Sequence, residues 1–375
     1  MSQSCPFNSS FVSDIVKKLR SIAISSLARM YLPKEKLFVF RLRKEGEKEV
    51  LEGLSNRYTA TALIGLSGED DDVISEVLGK DTCMDVCGHL LDNAQNFKEL
   101  GEIALTAWAA KAIEHPDANK AVDLLKRMNL ADTKGAGNPT VEVAWALTAF
   151  SVGKVESDMP YAEKLADMLM DSFSRKADLF PHAPSTEGMS PLRRHVSCFA
   201  DFVYPVQALS IYHQATGNER AAAIAKSCAS RMCKLQGPEG QWWWHFDIRS
   251  GRFIEGYPVY SVHQDSMAPM AFRALRDACG VDHSEMIEKG LKWLAHSKEI
   301  NGSLIDDDRQ IIWRKVFRRE PSKLVRKMQA AASSMHPAVR VPGTDILFPP
   351  VAIDYESRPY HMGWILYAWP ASKGV

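Results

Sequence analysis

The stretch "NPTVEVAWALTAF", Asn138 to Phe150, decides how this chain folds. After a turn-forming Asn-Pro it runs apolar on every side, and Glu142 is its one charged residue. A helix without a polar stripe has to be covered all round, so it belongs inside a larger helical assembly. The same design returns in "SNRYTATALIGL" from Ser55, "KELGEIALTAWAA" from Lys98 and "CFADFVYPVQALSIY" from Cys198. It returns again in "YSVHQDSMAPMAFRAL" from Tyr260 and "ESRPYHMGWILYAW" from Glu356. Six times, a polar or turn-like opening leads into a helix dense in alanine, leucine and aromatic residues.

Between these segments lie helices of another kind, such as "PDANKAVDLLKRM" from Pro116 and "NERAAAIAKSCASRMCKL" from Asn218. Their apolar positions recur at i, i+3, i+4 and i+7, which leaves one stripe buried and the rest wet. Alternation of the two types is what a double ring requires, apolar helices inside and amphipathic ones outside. The spacing is irregular, roughly forty to ninety residues, so the repeat is degenerate. The sequence predicts an all-α fold, an (α/α)6 toroid over residues 51–375. A helical extension of residues 1–50 precedes it, and short β-hairpins form at "KLFVFRLR" (36–43) and "GRFIEGYPVY" (251–260). The alternative is an open helical repeat without closure.

Composition sets the outer bounds. The 375 residues are 46% hydrophobic and 25% charged, with a formal net charge of zero. Nothing global points to nucleic acid or an acidic polymer as partner. Seven scattered cysteines, an odd number, read as reduced thiols of a cytoplasmic protein. The opening "MSQSCPFNSS" has no secretory pattern, and no apolar run is long enough for a membrane span.

The segment "KLQGPEGQWWWHFDIRSG", Lys234 to Gly251, holds Gln236, Gly240 and Trp242 as Q-x-x-x-G-x-W. This resembles the QW motif of squalene and oxidosqualene cyclases, whose catalytic domains are α/α toroids. The resemblance implies a glutamine that caps the end of an outer helix and stacks on the tryptophan. It covers seven residues closely and supports the fold more than the activity. The cyclases' D-x-D-D acid is missing: the acidic runs "GEDDDVISE" (68–76) and "SLIDDDRQ" (303–310) spell neither it nor a diphosphate-binding D-D-x-x-D. They read as helix caps or solvated loops. The architecture also resembles that of six-hairpin glycosidases, polysaccharide lyases and sugar epimerases, with no family signature. In those proteins aromatic residues stack on sugars at the barrel mouth while carboxylates or histidines move protons.

If each opening starts an inner helix, the starting residues gather around one mouth. They are Arg57, Tyr58, Glu99, Glu102, Glu142, Asp201, Tyr204, His263, Gln264, Asp265, Glu356, Arg358, Tyr360 and His361. Trp242, Trp243, His245 and Asp247 lie on the turn leading to the fifth opening. Buried charge is costly unless paired, so such a gathering predicts either dipole-complementing ion pairs or a polar substrate cavity. His263, Asp265, Glu356, Tyr360 and His361 are the candidate proton-transfer residues. Arg57, Tyr58, Glu142, Asp201, Trp243, His245, Asp247, Gln264 and Arg358 are the candidate substrate contacts, with arginine suited to a carboxylate. Trp242 is expected to brace the turn while Trp243 or Trp244 faces the cavity.

The expected function is acid–base chemistry on an oligo- or polysaccharide, by hydrolysis, elimination or epimerisation, with no cofactor. An isoprenoid cyclase or prenyltransferase and a non-catalytic toroid are the alternatives. No metal site is expected: Cys83, Cys87 and His89 fit a helix face better than a zinc knuckle. Two basic stretches, around Lys17 to Arg29 and "WRKVFRREPSKLVRKM" (313–328), are read as solvated faces, with peripheral membrane contact as the alternative.

Overall fold

The computed structural model describes residues 10–128, 137–185 and 189–371. Its helices, in chain order, are α1 (Ser10–Met30), α2 (Asn56–Leu66), α3 (Asp71–Leu78), α4 (Cys83–Asn93), α5 (Leu100–Ala112), α6 (Asn119–Arg127), α7 (Thr140–Ser151) and α8 (Met159–Ser172). After these come α9 (Ala200–Thr216), α10 (Glu219–Leu235), α11 (Ala268–Cys279), α12 (Ser284–Ala295), α13 (Leu324–Met335), α14 (Thr344–Leu347) and α15 (Pro359–Ala368). The six apolar segments of the sequence are α2, α5, α7, α9, α11 and α15. Each packs on the next, and α15 returns to α2, so the ring closes. The fold is an (α/α)6 toroid.

The two helix types bury what their patterns dictate. Along α5, every residue from Ile103 to Ala110 is buried, whereas α6 buries only Ala121, Val122 and Leu125. The outer helices α4, α6, α8, α10 and α12 each lie against inner ones. The first helix, α1, buries Val12, Ile15, Leu19, Ile22 and Leu27 and packs on α15, α3 and α12. It therefore occupies the outer position beside the closing seam. Three of its four cations are engaged: Arg20 with Glu69, Arg29 with Glu49 and Lys18 with Asp307.

That seam depends on two glycines. A Cβ on Gly65 of α2 would lie 2.3 Å from the carbonyl oxygen of Gly363 on α15, and one on Gly363 would lie 2.6 Å from that of Thr61. Both clashes are with backbone, which no side-chain rotation relieves.

Short strands frame the end of the ring where the inner helices begin. β1 (Tyr31–Leu32), β2 (Leu37–Glu45) and β3 (Lys48–Leu54) precede α2, and β4 (Val196–Cys198) precedes α9. β5 (His245–Asp247), β6 (Arg252–Glu255) and β7 (Val259–Tyr260) lead to α11. After α12 come β8 (Ile305–Asp306), β9 (Ile311–Ile312) and β10 (Lys315–Phe317), and β11 (Ala352–Asp354) and β12 (Glu356–Ser357) lead to α15. The hairpin expected at 36–43 is β2–β3. The one expected within 251–260 is replaced by β5–β6, because β7 leaves to pair with β10.

Gly363→Ala is expected to lower stability by about 3 kcal/mol or more in chemical denaturation, since the added Cβ meets the α2 backbone at Thr61 and Ala62. A variant as stable as the parent would show that the seam yields.

Candidate active site

A cavity of about 270 Å³ opens where the inner helices start. Arg57, Tyr58 and Thr61 of α2, Val141 and Trp145 of α7, Ala200 and Tyr204 of α9, and Tyr360 and Trp364 of α15 line it. Trp244, Tyr260, His263, Met267 and Arg314 complete the polar and aromatic wall. A second hollow, about 340 Å³, lies at the far end of the ring against Gly65, Met270 and Tyr367. It is the larger, but Arg273 there is turned to the Ala368 carbonyl and the mouth residues are elsewhere.

His263 owes its position to a π-turn, His263–Met267, that begins the fifth inner helix. Pro269 has no N–H to donate to the Asp265 carbonyl one turn back. The indole N–H of Trp369 donates to that carbonyl instead, at 2.6 Å, and the Ala268 N–H reaches His263. The neighbouring side chains then fix the turn. Gln264 accepts from the Trp242 N–H (3.2 Å) and donates to the Tyr260 carbonyl (3.1 Å). Asp265 and His361 form a buried pair, Nε2 to Oδ2 at 2.8 Å. Asp265, His361 and Gln264 thus hold the turn, and His263 is the member that reaches the cavity.

His263 is 2% exposed and packs among Phe199, Trp244 and Tyr260, with ring centroids 4.6, 5.5 and 5.1 Å away. Its Nδ1 faces the Trp242 carbonyl at 3.4 Å. A carbonyl only accepts, so Nδ1 carries the hydrogen and Nε2 keeps the lone pair. Burial lowers its pKa to about 3, against a smaller upward push from that hydrogen bond. The ring is neutral across the physiological range.

The carboxylates of the mouth stand behind the cavity, not in it; none lines it among the described residues. Glu142 and Glu99 each sit 2.7 Å from Arg57, and Glu142 also accepts from the Gly101 N–H. Glu356 pairs with Arg314 (3.1 Å), Arg41 (3.0 Å) and Arg358. Burial would raise the Glu356 pKa, but the charges of Arg314 and Arg358 outweigh it and hold the group ionised. Arg358 also donates to the Tyr58 hydroxyl (2.7 Å) and lies over the Phe40 ring. Arg57 and Arg314, braced from behind, remain on the wall, over the rings of Trp145 and Tyr260 respectively. Burial raises Tyr360 to about 12, so its hydroxyl keeps its proton.

The three tryptophans divide by alternation along an extended segment. Trp242 is buried against Phe199 and Phe272, and Trp244 reaches the cavity. Trp243 points the other way, onto Phe253 and Tyr257, in a slot that Gly237 and Gly256 keep open. Gln236 closes its turn by donating to the Gly240 and Met286 carbonyls, both at 2.9 Å.

Of the remaining candidates, Asp247 is buried on Arg249 and organises a turn. His245 lies on β5 opposite Cys198, and its pKa is pushed well below normal, chiefly by burial and then by Arg193 and Arg326. Asp201 is buried at the start of α9. It accepts from the Cys198 N–H, the Ser197 hydroxyl and His182.

Sequence reasoning missed Trp145, Tyr260, Arg314 and His182. Trp145 stands one turn beyond Val141 on an apolar helix, where it reads as core. Arg314 lay in a stretch read as a solvated basic face, yet Trp313 and Arg318 on either side of it are buried. Cys87 is buried on α4 and Cys83 half-buried; the described cysteines are free thiols. No helix among the described residues is long and apolar enough to cross a membrane.

No family model matches this chain, and no curated protein matches it in sequence. Solved structures do resemble it. An unsaturated glucuronyl hydrolase specific for heparin superposes with a TM-score of 0.62 at 12% identity, covering 95% of this chain and 96% of its own. The unsaturated glucuronyl hydrolase of Bacillus sp. GL1 gives 0.58 at 12% identity, with 94% and 95% covered. Cellobiose 2-epimerase from Bacillus thermoamylovorans gives 0.60 at 12% identity, with 95% and 99% covered. At such identities the likeness is one of fold, and it extends over nearly the whole of each chain.

The buried neutral imidazole has a pH consequence. His263 takes up a proton near pH 6.5 when unfolded but only near pH 3 when folded, so stability is lost as pH falls below 6.5. Replacing His263 with glutamine should flatten the loss of melting temperature between pH 6.5 and 4 by the equivalent of a few kcal/mol. Parallel pH–melting curves for the two proteins would contradict a neutral buried imidazole. Trp242→Ala should cost about 3–5 kcal/mol in the same assay, the scale of a lost buried aromatic.

Proposed function

We propose that this protein is a carbohydrate-active enzyme that takes a proton from the carbon beside the carboxylate of a uronate unit, in an oligo- or polysaccharide, and eliminates the glycosidic oxygen. One observation carries the reading: a neutral histidine shares a cavity with two arginines whose own carboxylate partners stand outside it. Arg57 and Arg314 would bind the uronate carboxylate and stabilise the charge that enters it as the carbon is deprotonated. His263 Nε2 would be the base. Trp244 and Trp145 offer stacking faces, and Tyr58, Tyr204, Tyr260 and Tyr360 offer hydroxyl or ring contacts. Asp265, His361 and Gln264 would position His263, and Glu142, Glu356 and Arg358 would position the arginines. Residues 51–375 would carry the reaction, with α1 of the preceding segment completing the outer ring.

Two-carboxylate hydrolysis fits less well, because it needs a free acid and a free carboxylate on the cavity wall. Epimerisation shares the deprotonation step and differs in product. The solved structures support the reading in kind, being named for glucuronyl and cellobiose substrates. Seven aromatic rings around the cavity favour one second reading, an isoprenoid-acting enzyme. It lacks a free acid to start a carbocation.

The test is incubation with a panel of uronate-containing and neutral oligosaccharides and linear isoprenoids, following the ultraviolet absorbance of an unsaturated uronate. Wild type should act on the uronate set, His263→Gln should lower kcat by about 100-fold or more, and Arg314→Ala should also raise KM. Turnover confined to neutral sugars, an isoprenoid product, or an active His263→Gln variant would refute it.

A further inference from the structure

We infer that His182, held by Asp201, is the second proton-transfer group of this site, the donor that protonates the leaving oxygen. This rests on the uronate reading above but on different residues. His182 lies on the segment between α8 and β4, in a part of the sequence that carried no expectation.

The segment is fixed at the start of α7. The Thr140 N–H donates to the His182 carbonyl at 2.9 Å, and the Thr140 hydroxyl donates to the Pro181 carbonyl at 2.6 Å. Val141, the next residue along, lines the cavity. On the other flank, the His182 ring reaches Asp201, whose neighbour Ala200 lines the same cavity. His182 therefore stands between the starts of two inner helices, next to Val141 and Ala200, which line the cavity.

Asp201 is fully buried, and its Oδ2 accepts from the Cys198 N–H (2.8 Å), the Ser197 hydroxyl (3.0 Å) and His182 Nδ1 (3.1 Å). The same Oδ2 is already the acceptor for the Cys198 N–H and the Ser197 hydroxyl, so Nδ1 of His182 carries a hydrogen and Nε2 is the exchanging atom. No hydrogen bond of the described residues uses that Nε2, and 31% of the side chain is exposed. A buried carboxylate orienting a histidine whose other nitrogen is accessible is an arrangement that supports proton transfer.

The charged and titratable groups around it are Asp201 on α9, Cys198 on β4, His245 on β5 and Arg193 in the turn before β4. The hydrogen bond to Asp201 raises the His182 pKa against burial and the opposing charge of Arg193. His263 is shifted the other way. His182 would hold the proton to be given, and His263, unprotonated at Nε2, would be open to receive one.

The step balances. The hydrogen on the carbon beside the carboxylate leaves as a proton to His263 Nε2, and its electron pair enters the carboxylate as an enolate. The pair then forms the carbon–carbon double bond as the glycosidic C–O bond breaks. His182 Nε2–H gives its proton to the departing oxygen, and water exchange resets both rings.

A leaving group that needs no proton separates the roles. On a uronate oligosaccharide, both His182→Gln and His263→Gln should lower kcat by about 100-fold with little change in KM. On a uronide carrying fluoride at the departing position, His182→Gln should regain nearly wild-type kcat while His263→Gln stays impaired. Asp201→Asn should weaken the oligosaccharide reaction and be rescued by fluoride likewise. Independently of turnover, imidazole nitrogen NMR should show His182 shifting when glucuronate or galacturonate is added to the wild-type protein. Absence of that shift, full kcat of His182→Gln on the oligosaccharide, or failure of fluoride rescue overturns the inference. So does stoichiometric zinc in the purified protein that is lost in Cys198→Ser. If no uronate is turned over and the His182 signal still moves, the elimination reading and the donor role both fail, and His182 is a sugar contact only.

Discussion

The backbones of α2 and α15 meet with nothing between them. Gly65 and Gly363 leave no room for a Cβ, and through them the first inner helix touches the last. Ring closure depends on this contact. An inner helix with no polar face is stable only when inner neighbours cover two sides and an outer helix covers a third. An open end would leave α2 and α15 each with an uncovered apolar face, which is costly in water. Closure removes both faces together. It also points six helix starts toward one opening.

The chemistry of that opening follows from the same geometry. Helix starts attract carboxylates, because the unpaired N–H groups and the helix dipole favour negative charge there. Glu142 shows this, accepting from the Gly101 N–H while holding Arg57. A ring of helix starts thus gathers carboxylates first, and the carboxylates recruit arginines. The result inverts the expectation that the acids themselves face the substrate: their charge is used up behind the wall, and the arginines are what the cavity presents.

The ring was legible in the sequence because its signal is local and repeated. The contrast between "NPTVEVAWALTAF" and "PDANKAVDLLKRM" is visible in either segment alone, and the six openings correspond to the six inner helices. The first-turn candidates Arg57, Tyr58, His263 and Tyr360 do line the cavity for the same reason. What escaped was set by contacts distant in sequence. Arg314 is brought in by the pairing of β10 with β7 and β11, which no periodicity announces. His182 is placed by bonds to Thr140 and Asp201 from a segment without a repeating pattern. Trp243 and Trp244 were interchangeable in sequence, and only the slot between Gly237 and Gly256 decides which one turns away.

The fifth opening shows how one local defect can make a site on such a scaffold. A regular start to α11 would satisfy every backbone group and give its first-turn side chains ordinary helical positions. Pro269 removes one donor, the register slips into a π-turn, and the orphaned Asp265 carbonyl is taken up by Trp369 from the end of α15. Asp265 itself is claimed by His361 at the start of α15. The turn is therefore pinned by both ends of the helix that closes the ring, and it puts His263 in a dry aromatic niche that keeps the ring neutral. A histidine on a flexible loop would be hydrated and would titrate near its ordinary value. Here the helix that closes the ring also pins the turn on which His263 is buried. Loosening α15 would consequently alter the chemistry of His263 before it unfolded the ring.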